Sequence, residues 1–358
     1  MLKRLALGSL VSIVLVLVLA LPASASSQFT DISTSPYQNA ITSLSSLGIV
    51  SGYGDTFKPD NPLMRQQFAK MASLAMGYTI TTANVSTFKD TPAASATDPL
   101  YPGSYVAVAS KNHIIEGYPD NTFRFYNNLT RQQMITIAVR AAGSALTTPP
   151  EDWDAGVLNY SDPTHGQNIK KAEYNGLLAG IPDLPSWDTT KNATRGETAQ
   201  VLSQLLTKVV VLEVSGLSGT KKLSMAELKA LPATEGYGGW KNRIGNITAP
   251  ALYKGVTIGS LIALVGGGTS ITVSASDGYK QPLSASQLSG DVTMYNPATG
   301  ATITDIDGQL AVIVAYSENG QAIASDVGPL RLAFVSPTAD QVTDGSLWVK
   351  LINGLEAK

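Results

Sequence analysis

The sequence predicts a multidomain protein with an all-α N-terminal half, built from three related segments, and an α+β C-terminal half. Two observations carry this prediction. One order of sequence features recurs three times before residue 208. After that point, helical spacing gives way to β-branched runs separated by glycine turns, which indicates strands between short helices.

Composition narrows the classes of function. Of the 358 residues, 44% are hydrophobic and 15% are charged, so the chain can bury a core. The net charge of −2 argues against a nucleic-acid partner. The chain has no cysteine, which excludes a disulfide framework, a cysteine-bound metal and a thiol nucleophile. With only two histidines, we also expect no metal site.

The first 25 residues have the pattern of a secretory signal peptide. Lys3 and Arg4 form a positive region, residues 5–21 are an apolar run, and residues 23–25 are the small residues that a signal peptidase needs. We therefore expect a secreted protein without membrane contact after cleavage. An uncleaved anchor is the alternative, because 17 apolar residues could just span a bilayer. The absence of a twin-arginine pair indicates export of an unfolded chain.

Three segments, at residues 28–80, 86–145 and 158–208, share one order of features. Each begins with an aromatic residue followed two positions later by an aspartate, passes through apolar residues at helical spacing to a glycine turn, and then enters a second helix at an arginine. The aspartates are Asp31, Asp90 and Asp162, the turn glycines are Gly52, Gly117 and Gly180, and the arginines are Arg65, Arg131 and Arg195. From glycine to arginine the spacing is 13, 14 and 15 residues, which indicates an internal repeat.

The expected structure of one segment is a helix, a loop and a second helix. A glycine should end the first helix, because a left-handed residue often stands there. Thr130 and Thr194 precede the second helices and form capping boxes with the Gln or Glu three residues later. Met64 replaces threonine in the first segment, so its cap should be weaker by about 1 kcal/mol. One such segment cannot bury its own apolar faces, whereas three around a common axis can.

These features resemble the S-layer homology (SLH) family over about residues 28–208. The resemblance implies a pseudo-threefold SLH bundle whose grooves bind secondary cell-wall polysaccharide, often through a pyruvylated sugar. By motif position, the nine residues given above would bind the glycan. A guanidinium at a helix N-terminus can hold a ligand carboxylate, and an aspartate can accept hydrogen bonds from sugar hydroxyls. Alternatively, the arginines pair with the aspartates and only hold the repeats together.

The second segment fits the family motif best. In the first, Met64 and Gln67 depart from it, and in the third the turn lacks an aromatic residue. We therefore expect at least one inactive groove, and a greater loss of wall binding from Arg131→Ala than from Arg65→Ala. His113, just before the second turn, should be a surface or capping residue. The resemblance implies a secreted protein of the cell wall or S-layer, with possible surface-layer neighbours.

Residues 209–358 should form the α+β domain. The sequence predicts strands at residues 209–214, 271–275, 310–316 and 330–335, helices at 224–231 and 258–265, and a closing strand at 348–352. Ser224 and Glu227 form another capping box.

The order of features in this half resembles the molybdopterin-binding domain of the sulfite oxidase family. The matching stretches are residues 224–232, 253–265, 276–279, 315–323 and 328–334. That family holds its molybdenum with a cysteine thiolate, and this chain has none, so we expect no molybdopterin and a non-catalytic domain. The alternative is an extracellular molybdopterin-type oxidoreductase tethered to the wall.

Two smaller features of the C-terminal half suggest ligands. Tyr237, Trp240 and Arg243 fall where the sulfite oxidase family builds its pocket, and could hold an anionic or aromatic ligand. They could equally be core aromatics beside a surface charge. Asp305, Asp307 and Gly308 hint at a calcium loop, although such a pattern is more often a plain turn.

Overall fold

The computed structural model describes residues 29–303 and 310–358. The predicted signal peptide at residues 1–25 lies outside these residues, as does the possible calcium loop at Asp305, Asp307 and Gly308. Within the described residues, no helix combines the length and the apolar character that crossing a bilayer requires.

Each of the three predicted segments, called repeats 1, 2 and 3 from here, contributes two helices. The six helices are α1 (Gln38–Ser46), α2 (Arg65–Ala75), α3 (Gly103–Lys111), α4 (Arg131–Ala142), α5 (Gly166–Tyr174) and α6 (Arg195–Leu206). The first helix of each repeat packs against the second helix of the preceding repeat: α3 on α2, α5 on α4, and α1 on α6. Because α1 packs against α6, the first and last helices of the bundle are in contact and the bundle is closed.

A ring of backbone hydrogen bonds lies at the centre of the bundle. Leu63 N donates to Ala193 O at 3.0 Å, Ala193 N donates to Leu129 O at 2.8 Å, and Leu129 N donates to Leu63 O at 2.8 Å. All three side chains are fully buried, and each residue lies two positions before the arginine of its repeat. The ring therefore marks the axis of the predicted pseudo-threefold arrangement.

The helix caps agree with the sequence. Thr130 accepts from Gln133 N and Thr194 accepts from Glu197 N, and both partners return the bond. Met64 has no side-chain oxygen, so only the return bond from its N to Gln67 Oε1, at 3.0 Å, is present. The first repeat thus lacks half of the capping box, as predicted.

The left-handed residues after the first helices are Gly48, His113 and Gly176, at φ +69°, +56° and +71°. His113 is exposed and occupies this position in repeat 2, so it is a capping residue on the surface. In repeats 1 and 2 these residues precede the turn glycines by four positions.

The C-terminal half contains two sheets. Its strands are β1 (Val210–Gly216), β2 (Gly219–Ser224), β3 (Thr234–Lys241), β4 (Ile247–Thr257), β5 (Ile271–Ala275), β6 (Lys280–Leu283), β7 (Met294–Tyr295), β8 (Thr302–Ile303), β9 (Ala311–Glu318), β10 (Gln321–Ala322), β11 (Arg331–Val335), β12 (Val342–Asp344) and β13 (Ile352–Ala357). Its helices are α7 (Met225–Ala230), α8 (Ile258–Ala263) and α9 (Ala285–Leu288). One sheet has the order β2-β1-β13-β5-β6; the other has β10-β9-β4-β3-β12-β7-β8, with β11 beside β9.

Two sequence predictions in this half were wrong. The closing strand is β13, which begins where residues 348–352 were expected to end and lies parallel to β1 inside the five-stranded sheet. The stretch around Tyr237, where the sequence analysis predicts no strand, is strand β3. Its glycines hid the strand: a Cβ on Gly238 would lie 2.6 Å from Phe334 O, so close packing requires glycine there.

Helix α7 joins the two halves. Ala226 is buried in the hydrophobic core of the helical bundle, and Met225 packs on Gly77, where a Cβ would lie 2.5 Å from the Met225 side chain. Lys229 Nζ donates to Gly77 O at 2.6 Å, and burial lowers the pKa of Lys229. The bundle and the sheets therefore share packed residues.

Candidate functional site

The arginines of repeats 1 and 3 reach into the following repeat. Arg65 begins α2 and donates from Nε to Phe123 O and from Nη2 to Glu116 O, both at 2.9 Å. Arg195 begins α6 and makes the equivalent bonds to Phe57 O and Ser51 O, both at 2.8 Å. Each side chain is 5% exposed, and Nη1 makes no hydrogen bond within the described residues. Arg65 of repeat 1 thus contacts repeat 2, and Arg195 of repeat 3 contacts repeat 1, in the same circular order as the helix packing.

Arg131 differs, because its guanidinium already holds a carboxylate. Nη1 donates to Asp188 O at 3.0 Å, Nη2 to Glu197 Oε1 at 2.5 Å and Nε to Glu197 Oε2 at 3.2 Å. Glu197 is 4% exposed and also accepts from Trp187 Nε1 at 2.8 Å. The chain thus supplies a carboxylate to Arg131 itself, and the expectation that repeat 2 binds glycan best stays a prediction.

A single position separates the two arrangements. The residue that faces each arginine is the third residue of the following repeat's second helix: Gln133 for Arg65, Gln67 for Arg195 and Glu197 for Arg131. The first two are neutral amides, so they form no ion pair with the guanidinium, and the charges of Asp90 and Asp31 act on Arg65 and Arg195 only from beyond ion-pair distance. The third is an anion that neutralises the charge of Arg131.

The aspartates bind their own loops. Asp31 accepts from Phe57 N at 2.8 Å and Lys58 N at 2.7 Å, and Asp90 accepts from Phe123 N and Arg124 N at the same distances. Burial raises the pKa of Asp31, but these backbone bonds and the Arg195 charge outweigh it, so the net shift is downward.

Asp162 accepts instead from Thr164 N and His165 N at the start of α5. Asp31 and Asp90 use both oxygens for these bonds, whereas Asp162 uses Oδ1 for both of its bonds. All three carboxylates thus order backbone N–H groups. They do not pair with the arginines, in contrast to the alternative interpretation.

The turn glycines allow close packing. A Cβ on Gly52 would lie 2.3 Å from the Phe29 ring, and one on Gly117 would lie 2.1 Å from the Phe88 ring. Gly180 has φ +84°, and its Cβ would lie 2.4 Å from Gln200 Nε2. Glycine at these positions therefore allows the close packing of the turns.

Groove A lies beside the turn of repeat 1 and has a volume of about 300 Å³. Its polar lining includes Tyr53, Gln67, Lys70, Asp98 and Arg195. Gln67 Nε2 donates to the Tyr53 hydroxyl at 2.9 Å, and Lys70 Nζ lies 2.6 Å from Asp98 Oδ2. The Arg195 guanidinium lies 5.0 Å from the centre of the Tyr53 ring. A buried cation, a second cation and an aromatic ring therefore meet in one depression.

Groove B is the equivalent depression beside the turn of repeat 2, at about 220 Å³. It is lined by Arg65, Tyr118, Gln133, Arg140 and His165. Arg65 lies 5.0 Å from the centre of the Tyr118 ring, and Arg140 lies 3.2 Å from Glu116. Burial lowers the pKa of His165; the Asp162 charge opposes this shift, and the Arg140 charge adds a smaller lowering effect.

The predicted pocket of Tyr237, Trp240 and Arg243 is only partly assembled. Trp240 and Arg243 line a cleft of about 960 Å³, but Tyr237 is outside its lining. Tyr237 instead exchanges two backbone hydrogen bonds with Ser336, at 2.8 and 2.9 Å. Trp240 packs 4.9 Å from Trp348 between ring centres. Tyr237 and Trp240, which were predicted to share one pocket, therefore lie in different environments.

The comparisons with known proteins agree with the bundle geometry. The family model of the S-layer homology domain matches residues 28–69 and 88–135. The chain carries S-layer homology repeats. Residues 158–208 lie outside those matches, but they complete the same circular packing as repeat 3.

Two curated relatives match about a third of the chain. A "Surface layer protein" of Brevibacillus choshinensis is 32% identical over 119 residues, or 32% of this chain, and a "Middle cell wall protein" of Brevibacillus brevis is 31% identical over 107 residues, or 30%. The matched part is 10% of each relative, so the chain spans a small fraction of their length. With the SLH repeats, these matches indicate a secreted protein of the cell wall or surface layer.

The chain also has partial structural similarity to solved structures, of which one is described here. That structure is the sulfane dehydrogenase SoxCD from Paracoccus pantotrophus, at 16% identity and a TM-score of 0.29, covering 40% of this chain and 37% of that chain. No conclusion about the fold follows from a TM-score this low.

Several groove residues were missed by the sequence analysis. Lys70 could have been found from its helical spacing, since it follows Gln67 by three positions on the exposed side of an SLH helix. Asp98 lies in a connection between two helices, where the sequence has no helical or strand periodicity. His165 lies in the next repeat. Nothing in the local sequence indicates that these two residues line a groove.

Proposed function

We propose that this protein attaches to the cell wall by binding an acidic secondary cell-wall polysaccharide in grooves A and B. The observation that supports the proposal best is the difference at one position. Gln67 and Gln133 form no ion pair with Arg195 and Arg65, whereas Glu197 pairs with Arg131 and neutralises its charge. Two SLH grooves are thus prepared for an anion, and the third interface is closed by the chain's own carboxylate.

The state of the arginine nitrogens supports the same choice. In Arg65 and Arg195, backbone carbonyls fix Nε and Nη2, and Nη1 has no partner among the residues that the structure describes. A buried guanidinium held in one orientation loses little entropy when it binds, which favours a carboxylate-bearing sugar.

The C-terminal half is proposed to be a displayed, non-catalytic domain related in fold to the molybdopterin-binding domain of the sulfite oxidase family. A thiolate-held molybdenum does not fit its donor set, because the chain has no cysteine. Among the described residues, no three His, Cys, Asp or Glu side chains gather in a metal-binding cluster. Stoichiometric molybdenum or tungsten in the purified native protein would contradict this part of the proposal.

Isosteric variants of the mature chain test the groove assignment. Gln67→Glu with Gln133→Glu should lower binding to purified sacculi at least about tenfold, because each new carboxylate neutralises the arginine it faces. Glu197→Gln is the matched control, and should keep or increase binding. Sacculi stripped of secondary polymer by acid should no longer bind the unmodified protein. Equal binding to stripped and intact sacculi would contradict the polysaccharide as the ligand.

A further inference from the structure

A further cleft lies in the C-terminal half, where turns from both sheets meet. Its volume is about 960 Å³. The β3–β4 turn contributes Arg243 and Ile244, the turn before β6 contributes Tyr279, and the end of β12 contributes Asp344. None of these residues takes part in the SLH grooves.

The walls of the cleft are ordered by hydrogen bonds within the chain. Asn242 Oδ1 accepts from Ile244 N at 3.1 Å and from Asn246 N at 2.8 Å, which fixes the β3–β4 turn. Lys241 Nζ donates to Gly300 O at 2.8 Å and lies 4.4 Å from the centre of the Tyr295 ring. A ligand would therefore meet a preformed surface, which lowers the entropic cost of binding.

The exposed side chains combine a cation with apolar surface. Arg243 is exposed and forms no ion pair with any described residue. Ile244 is 82% exposed and Tyr279 is 49% exposed, so two apolar side chains flank the opening. Asp344 Oδ1 accepts from Ser346 N at 2.8 Å, and Oδ2 is left to accept from a hydroxyl. An acidic sugar chain offers the matching carboxylate, hydroxyls and apolar ring faces.

We propose that this cleft binds a stretch of acidic polysaccharide and gives the protein a further contact with the wall. The identity of that polymer rests on the proposed function. A peptide fits less well, because β3 is hydrogen-bonded to β4 on one side and β12 on the other. The cleft thus offers side chains instead of a free strand edge for strand addition. Two weak contacts on one polymer strengthen attachment through their effective concentration.

The test separates the cleft from the grooves. In the mature protein carrying Gln67→Glu and Gln133→Glu, soluble acidic polysaccharide released from sacculi should still bind saturably and change the fluorescence of Trp240. Adding Arg243→Ala and Tyr279→Ala should weaken this binding at least about tenfold. Adding Leu217→Ala and Lys221→Ala instead, in the exposed β1–β2 hairpin, should leave it unchanged. Trp240→Phe identifies the fluorescence signal that belongs to the cleft.

Each outcome bears on the inference. It is overturned if the groove variant shows no saturable binding, or if the cleft and hairpin variants bind alike. Equal affinity for poly-glutamate would overturn the polysaccharide class in favour of an acidic peptide. In each case, loss of sacculus binding by the groove variant would still support the proposed function.

Discussion

At the scale of single residues, the three interfaces between repeats differ in the charge of the side chain that faces the arginine. Arg65, Arg131 and Arg195 occupy the same position in their repeats and have similar surroundings. The neighbouring Gln or Glu determines whether the guanidinium already forms an ion pair within the chain. The aspartates, which the sequence motif presents as equally prominent, stabilise the loops instead.

Asp31 gives a prediction about acid stability. Its pKa is lowered in the folded protein, so its contribution is present above the unfolded value of 3.8 and is lost as the pH falls through the lowered pKa. Asp31→Asn should therefore reduce the free energy of unfolding by about 1 kcal/mol at pH 7, after allowance for solvent screening, and by less near pH 3. Urea unfolding at both pH values measures this difference. Asp60→Asn, at an exposed carboxylate, is the control; a constant deficit for Asp31→Asn would contradict the explanation.

At the scale of elements, the second helix of each repeat carries both a cap and a groove residue. The residue at the third helical position returns the capping bond to the backbone and also faces the arginine of the preceding repeat. The cap therefore fixes where the groove side chain stands. Repeat 1 achieves this with only half of the capping box.

Restoring the missing cap should stabilise repeat 1. Met64→Thr would place a hydroxyl where Thr130 and Thr194 already have one, raising the free energy of unfolding by about 1 kcal/mol. Thr130→Ala should lower it by a similar amount, and Thr130→Ser should change it little. Denaturant titrations of the three variants compare these effects. If Met64→Thr and Thr130→Ala shift stability in the same direction, the cap does not explain the difference.

Much of the fold was accessible from the sequence because it depends on local signals. Helical spacing and capping residues such as Thr194 define the helices of the bundle. The circular order was not accessible, since Arg65 looks the same whether it faces its own repeat or the next. In the C-terminal half, Gly238 concealed strand β3, and the position of β13 depends on pairing with a distant strand. Glu197 was visible in the sequence, but its effect on Arg131 follows only from the fold.

At the scale of the whole molecule, the two halves meet through a small set of packed residues. Lys229, Met225 and Ala226 of α7 bind the end of α2 around Gly77. The wall-binding bundle and the sheets are consequently held in a fixed relation.

Breaking this contact should uncouple the halves. Lys229→Glu would place a carboxylate against the Gly77 carbonyl, where a cation now donates. We expect calorimetry to resolve two unfolding transitions in place of one. Lys222→Glu, on the exposed edge strand β2, should retain the single transition. A single transition in Lys229→Glu as well would show that the contact does not couple the halves.

The packing of α1 on α6 has a mechanical consequence. When the outer part of a wall-bound protein is pulled, tension enters the bundle where the chain leaves α6. That helix is gripped by α1, from the opposite end of the bundle's sequence, and Arg195 at its start is bonded to the turn of repeat 1. The pull is therefore shared with the earliest part of the bundle, and the chain cannot be peeled from its C-terminal end without separating the first helix from the last.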